Sequence, residues 1–248
     1  MGMLEGKVAI VTGGNSGIGK ATVALFKKEG AIVTLVARRE AVNQAVAEEY
    51  GVDYITGDVT DPATATRVAD AVYAKYGKID ILVNDAGQPD GTKAAKNCTN
   101  EFWSAQIDVN LNAAFYMCRE VLRYMEPVGE GAIVNVSSIG GVYHCAGAAY
   151  SAAKAGMIGL THNLAIQYCG TGIRCNCVCP GATKTPLFDP ENFGEQDKEM
   201  SRITAKHIRL GLDMCSAEDQ ANAILFFASD MGKSVTGQYL VVDKGMCI

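Results

Sequence analysis

Seven strand-like apolar runs, at 8–11, 32–36, 52–55, 79–83, 132–136, 173–178 and 239–242, punctuate the chain. Helical patterns lie between them, at 19–29, 39–49, 62–76, 101–125, 150–168 and 218–227. A helix between two strands carries the chain back to the same end of the sheet, so the strands run parallel and both sheet faces are covered. The pattern predicts an α/β fold: a doubly wound parallel sheet of seven strands with helices on both faces. No internal repeat, low-complexity tract or Pro/Ser-rich linker divides it, so residues 1–248 read as one domain. Residues 184–211 break the alternation: Pro186, Pro190 and Gly194 are interspersed with Leu187, Phe188, Phe193, Met200 and Ile203. A long irregular excursion with apolar side chains is expected to act as a lid.

The first strand runs into Thr12, Gly13, Gly14, Asn15, Ser16, Gly17, Ile18 and Gly19, where a helix begins. Glycines at 13, 17 and 19 allow a tight turn, close approach to a pyrophosphate and close helix–sheet packing. Amides at the helix start and the positive helix end then face the phosphates. This strand–turn–helix at the first β-run makes the domain Rossmann-like and predicts a dinucleotide site. An NAD site places an acidic residue at the end of the second strand to hold the ribose hydroxyls. Here that end reads Val36, Ala37, Arg38, Arg39. Arg38 offers a planar fork to a 2′-phosphate and Arg39 assists, which favours NADP(H) and leaves NAD(H) as the alternative. Asp58 and Val59, ending the third strand, are expected near the adenine.

The fifth strand ends in Ser137 and Ser138, and Tyr150 and Lys154 follow at helical i, i+4 spacing. Such a pair puts a phenol and an ammonium on one face. Lys154 is expected to lower the phenol pKa and hold the nicotinamide ribose. Tyr150 then moves the proton while hydride moves to or from the nicotinamide, and Ser137 hydrogen-bonds the substrate oxygen.

Thr12 to Gly19, Ser137, Tyr150 and Lys154 together resemble the short-chain dehydrogenase/reductase family, in its members of about 250 residues, over essentially the whole chain. The resemblance implies a catalytic tetrad of Ser137, Tyr150, Lys154 and Asn110, the asparagine holding a water beside the lysine. It implies cofactor contacts from Asn84, Ala86 and Gly87 after the fourth strand, and from Pro180, Gly181, Thr183 and Thr185 after the sixth. It also implies a homo-oligomer, a tetramer or dimer, with the helices at 101–125 and 150–168 as faces. Three positions depart from the family pattern: Asp85 stands for Asn, Thr183 for Ile or Val, and Lys244 for Gly in the closing Val-Asp-Gly-Gly element.

The substrate is expected to be a small alcohol or ketone, lined by residues 88–96, 139–145, 182–183 and the lid. Gln88, His144 and Leu187 are the named candidates; His144 reads either as a reader of a polar substrate group or as an exposed loop histidine. Stretches 126–131 and 167–172 carry no Lys or Arg and the net charge is −5, which disfavours docking of an acidic carrier protein. An apolar lid suits a hydroxysteroid or bile acid. A sugar or polyol and a 3-ketoacyl thioester are the enzymatic rivals, and a catalytically dead cofactor sensor is the rival of another class.

Lys and Arg are scattered, leaving no basic track for nucleic acid. No stretch reaches the ~20 apolar residues of a membrane span. The first residues lead straight into a strand, so no secretory leader is expected and the cytoplasm is the expected compartment. Nine cysteines without a Cys-x-x-Cys read as free thiols. Cys175, Cys177 and Cys179 share one face of a strand and are expected in the core, since ligands spread along a strand do not converge on a metal.

Overall fold

In β1 (Val8–Thr12) every side chain is buried, as a strand covered on both faces requires. The computed structural model describes residues 2–188, 195–209 and 211–247; Phe193 and Pro190 of the expected lid lie outside them. The chain continues through α1 (Gly17–Lys28), β2 (Ile32–Ala37), α2 (Glu40–Tyr50), β3 (Asp53–Thr56), α3 (Pro62–Tyr76) and β4 (Ile81–Asn84). Then come α4 (Asn100–Ile107), α5 (Ala113–Met125), β5 (Glu130–Val136), α6 (Ile139–Val142) and α7 (Ala148–Gln167). The last elements are β6 (Gly172–Pro180), α8 (Lys198–Thr204), α9 (Ala217–Ala228) and β7 (Tyr239–Val242).

The seven strands form one all-parallel sheet in the order β3-β2-β1-β4-β5-β6-β7, the fold expected from the sequence. Alternate residues of β1 serve two cores. Val8 and Ile10 pack with Val68, Met117 and Val121 of α3 and α5, while Ala9 and Val11 pack with Val23, Phe26 and Ile224 of α1 and α9. Each fully buried Val, Ile or Phe contributes about 1.5–3 kcal/mol, so the two cores together hold the sheet between its helical layers. Cys175, Cys177 and Cys179 are buried in β6 as small apolar side chains.

Two stretches differ from the sequence expectation. The helix expected at 101–125 is interrupted by a wider π-type turn at Asp108–Asn112, between α4 and α5. Residues 184–211, expected to be irregular, contain α8 and a 3₁₀ turn at Ala205–His207. Asp197 builds that start: its carboxylate caps α8 at the Met200 amide and also accepts from the Ala94 amide and the Asn97 side chain. This ties the described part of the excursion to the loop after β4.

Candidate active site

The order of strands reverses between β1 and β4, and the loops leaving their carboxyl ends part to form a crevice, the usual ligand site of an open parallel sheet. The glycine turn after β1 forms one wall. Gly13 and Gly17 have φ of +70° and +51°. A Cβ on Gly13 would lie 3.0 Å from the Ala86 amide, and one on Gly17 would lie 3.3 Å from Thr185. Ser16 is the N-cap of α1 but its hydroxyl makes no capping bond, and the first turn carries no acidic residue. This positive helix end, whose own cap and first turn supply no anion, lies behind side-chain-free residues and fits a pyrophosphate.

Several expected cofactor residues support this wall from behind. The Asn15 side chain donates to Asn43 Oδ1 at 2.6 Å, and Asn43 in turn donates to the Ala37 carbonyl and Thr56. That network fixes the glycine turn relative to the end of β2, where Arg38 and Arg39 are exposed. Asp58 is exposed near Arg38, its carboxylate on the Thr60 amide and hydroxyl, and Val59 is buried in the core. Asn84 does not present its side chain to the crevice: it is buried and donates to Asn135 Oδ1 at 2.9 Å, joining β4 to β5. Thr183 likewise turns inward, donating to the Gly181 carbonyl and accepting from Gln220. A valine there would leave Gln220 without that acceptor, which accounts for the departure to Thr. Gly181 lies against Asp243, where a Cβ would come within 2.4 Å, at the end of β6 just after Pro180. Lys244, the departure from Gly, sits at φ +54°, the left-handed region in which a glycine is unstrained.

The catalytic face comes from β5, α7 and the loop after β4. Lys154 is 3% exposed, and its ammonium donates to the Val136 carbonyl at 2.9 Å. The expected serine is corrected by one position. Ser137 still pairs with β6 through its amide, and its buried hydroxyl donates to the Lys154 carbonyl at 2.7 Å. Ser138, the first residue past the ladder and the N-cap of α6, is the one hydrogen-bonded to the Tyr150 phenol. Ser137 therefore clamps the lysine's backbone, while Ser138 shares the reacting face. Gly140 and Gly141 let the chain pass, since a Cβ on Gly140 would lie 3.3 Å from the Tyr150 ring and one on Gly141 2.6 Å from Lys154.

Asn110 occupies the π-type turn. Its amide donates to Gln106 and to the Gln88 carbonyl, and its Oδ1 accepts from the Gln88 amide. The wider turn loosens the Gln106 carbonyl, and Asn110 takes it up. A Cβ on Gly87 would lie 2.9 Å from Asn110 Oδ1 and 3.3 Å from the Lys154 ammonium, so this glycine, Asn110 and Lys154 meet in one corner. Gln88 is held by its backbone. His144 is exposed at φ +58°, and Leu187 is exposed on the 3₁₀ turn at Pro186–Phe188.

The expected lowering of the phenol is not what this geometry gives. Burial pushes Tyr150 up to about 12, Ser138 pulls it down, and Asp90, Asp85 and Cys179 push it further up. The ammonium lies 5.5 Å from the ring centroid, over the ring face. Asp85, where the family has Asn, is pushed up to about 7 by burial, against the pull of Lys154 and a hydrogen bond from the Gly19 amide. Its carboxylate thus sits where α1 would receive a phosphate. A group at about 7 is protonated at pH 6 and charged at pH 8, and only the charged form repels phosphate. Dinucleotide affinity, measured by fluorescence quenching, should fall about fivefold from pH 6 to pH 8, and Asp85→Asn should remove the slope.

Known proteins are similar to this chain along its length. A family model described as enoyl-(acyl carrier protein) reductase matches residues 13–247. A 3beta-hydroxysteroid dehydrogenase of Mediterraneibacter gnavus is 36% identical over 99% of this chain and 96% of its own. A 3-oxoacyl-acyl-carrier-protein reductase of Thermotoga maritima is 40% identical, covering 99% of each chain. A solved short-chain dehydrogenase/reductase structure from Burkholderia xenovorans superposes with a TM-score of 0.87 at 38% identity, covering 99% of this chain and 98% of that one. With a shared fold and relatives that are dehydrogenases and reductases along its full length, this chain belongs to the short-chain dehydrogenase/reductase family and is an oxidoreductase of CH–OH groups that works with a nicotinamide dinucleotide.

Proposed function

We propose that the protein interconverts a secondary alcohol and a ketone with NADP(H), acting on a hydroxysteroid or bile acid. The observation that carries the chemistry is the meeting of Ser138, Tyr150 and Lys154 on the crevice beside the N-terminus of α1. When bound, the cofactor supplies or accepts a hydride at its nicotinamide. The chain's own residues move the proton: Tyr150 gives it to the carbonyl oxygen in reduction and takes it from the hydroxyl in oxidation. Ser138 donates a hydrogen bond to the same oxygen and steadies its developing charge. Lys154, locked between β5 and α7, holds its ammonium beside the phenol and the ribose position. Asn110 backs the lysine, and Gly13, Gly17, Gly19, Gly87 and Thr185 leave room for the dinucleotide. Residues 1–130 act as the cofactor half and 131–248 as the catalytic half, with the described residues 195–209 over the substrate.

Hydroxysteroids are favoured by the exposed apolar Leu187 and Ile203 of the excursion at 184–211, and by two relatives named as 3beta-hydroxysteroid dehydrogenases, from Mediterraneibacter gnavus and Eggerthella lenta. The Thermotoga relative makes a 3-ketoacyl thioester the second reading. The exposed Phe115 on α5 and Ile166 on α7 support a homo-oligomer built on those helices. Reduced-cofactor absorbance with hydroxysteroids and bile acids, and NADP⁺ and NAD⁺ in parallel, tests the reading. A signal with one steroid regioisomer and NADP⁺ is expected; turnover of only ketoacyl thioesters, sugars or polyols overturns the substrate class.

The cofactor preference rests on Arg38, exposed and making no ion pair with another described residue. Charge-assisted hydrogen bonds are worth about 1.5–3 kcal/mol, so Arg38→Asp should weaken NADPH by at least about tenfold and NADH by less than about threefold. Equal weakening of both in a direct binding titration would sink the NADP assignment.

A further inference from the structure

Asp90 lies in the loop after β4, and its side chain is the cap of the catalytic helix. Gly147, the N-cap of α7, has no side chain to offer the first turn. Asp90 fills that place: Oδ2 accepts from the Tyr150 amide at 3.0 Å, Oδ1 accepts from the Thr92 amide at 2.9 Å, and the Gly147 amide also bonds to it. The fit is close enough that a Cβ on residue 147 would fall 2.1 Å from Oδ2. The carboxylate is 4% exposed and forms no ion pair with a described Lys or Arg. Lys93, its neighbour in sequence, turns away to lie over the Phe102 ring at 4.6 Å.

A buried carboxylate answered by amides alone has no counter-ion, and the residue whose amide it holds is Tyr150 itself. We propose that Asp90 is a positioning residue of the reaction: it fixes the first turn of α7, and its buried carboxylate, with no Lys or Arg partner among the described residues, opposes the negative charge that the Tyr150 phenol takes on when it gives up its proton. This rests on the reading of Tyr150 as the proton carrier.

The charged and titratable groups around that phenol come from every packed element. Asp85 and Asp90 come from the loop after β4, Cys179 from β6 and Lys154 from α7, with the Ser138 hydroxyl beyond β5. Asp90 and Asp85 both push the phenol up, and Ser138 pulls it down. Asp90 is itself pushed up by burial, while the amides of Tyr150, Thr92 and Gly147 draw it back.

Asp90→Asn separates the two roles, because the amide oxygen still accepts from the Tyr150 amide while the charge is gone. The ultraviolet phenolate signal of the full chain, minus that of Tyr150→Phe in the same background, reports on this one phenol and needs no substrate. In Asp90→Asn that signal should move down by about one pH unit, with a thermal midpoint between those of the parent and Asp90→Ala, because the amide nitrogen that replaces Oδ1 cannot accept from the Thr92 amide. Asp90→Ala should show the same downward movement and melt roughly 3 °C lower, because the cap is lost as well. With a substrate in hand, the rise of kcat/KM for alcohol oxidation with pH should shift by the same amount. A phenolate signal in Asp90→Asn that starts at the parent's pH overturns the proposal and leaves Asp90 a cap only. Silence across the steroid panel, with the titration shifted, would instead count against the proposed substrate alone.

Discussion

Replacing Tyr150 with phenylalanine should lower kcat for alcohol oxidation by about a thousandfold while changing dinucleotide affinity less than about threefold. The ring would still pack against Gly140, so the helix and crevice should keep their shape. Three of its neighbours are already committed elsewhere. Ser137 is engaged with the Lys154 carbonyl, Lys154 with Val136, and Asp90 with backbone amides. The parent enzyme has its own signature. A phenol pushed up to about 12 is protonated at neutral pH, so ketone reduction finds its acid in place, whereas oxidation must first lose that proton. Oxidation should therefore accelerate between about pH 6 and pH 9 while reduction stays level over the same range. Steady-state kinetics in both directions, with cofactor binding measured separately, checks both statements. Retention of turnover by Tyr150→Phe would show that another group carries the proton, whereas absence of turnover in the parent with every substrate class would bring back the cofactor-sensor reading.

The largest structural effect should follow from Gly19→Ala. The added methyl would lie 2.4 Å from the Gly13 carbonyl oxygen, 2.7 Å from its carbon and 2.8 Å from Asp85 Oδ2. Two of these three are backbone atoms of the phosphate turn and cannot rotate away, so α1 must shift against β1. Overpacking of this kind costs about 1–3 kcal/mol, which predicts a thermal midpoint lower by roughly 3–10 °C and dinucleotide affinity weaker by at least about tenfold. Gly159→Ala is the matched control: it lies in α7 with nothing within 4 Å of the new methyl, and should stabilise slightly. A Gly19→Ala protein that melts and binds like the parent would show that the turn adapts, and would remove the argument for close helix–sheet packing there.

The fold and much of the site could be read from residue pattern because both depend on local periodicity. Strands buried on two faces read as continuous apolar runs, and an i, i+4 pair on a helix needs no long-range knowledge. The serine was misplaced for a reason that is not local. In the doublet of Ser137 and Ser138, the choice depends on where the ladder with β6 stops, and that is one residue beyond β5, at Ser137. Asp90 was also out of reach, because it caps a helix 60 residues further along the chain. Thr183 was legible as a departure but not as a partner of Gln220, which only the packing of α9 on β6 brings near. The π-type turn hid within an unbroken helical pattern, since the change of pitch is paid for by one asparagine side chain, Asn110.

The strand β6 has a consequence of a different sort. Its three thiols, Cys175, Cys177 and Cys179, lie at most 2% exposed in the strand next to the sheet's β7 edge, whereas Cys169, just before the strand, is exposed. An alkylating reagent meets Cys169 in the native chain but reaches the other three only when β6 separates from β5 and β7. The ratio of the two labelling rates measures how often the β7 side of the sheet opens, so the molecule carries a built-in clock for its own unfolding.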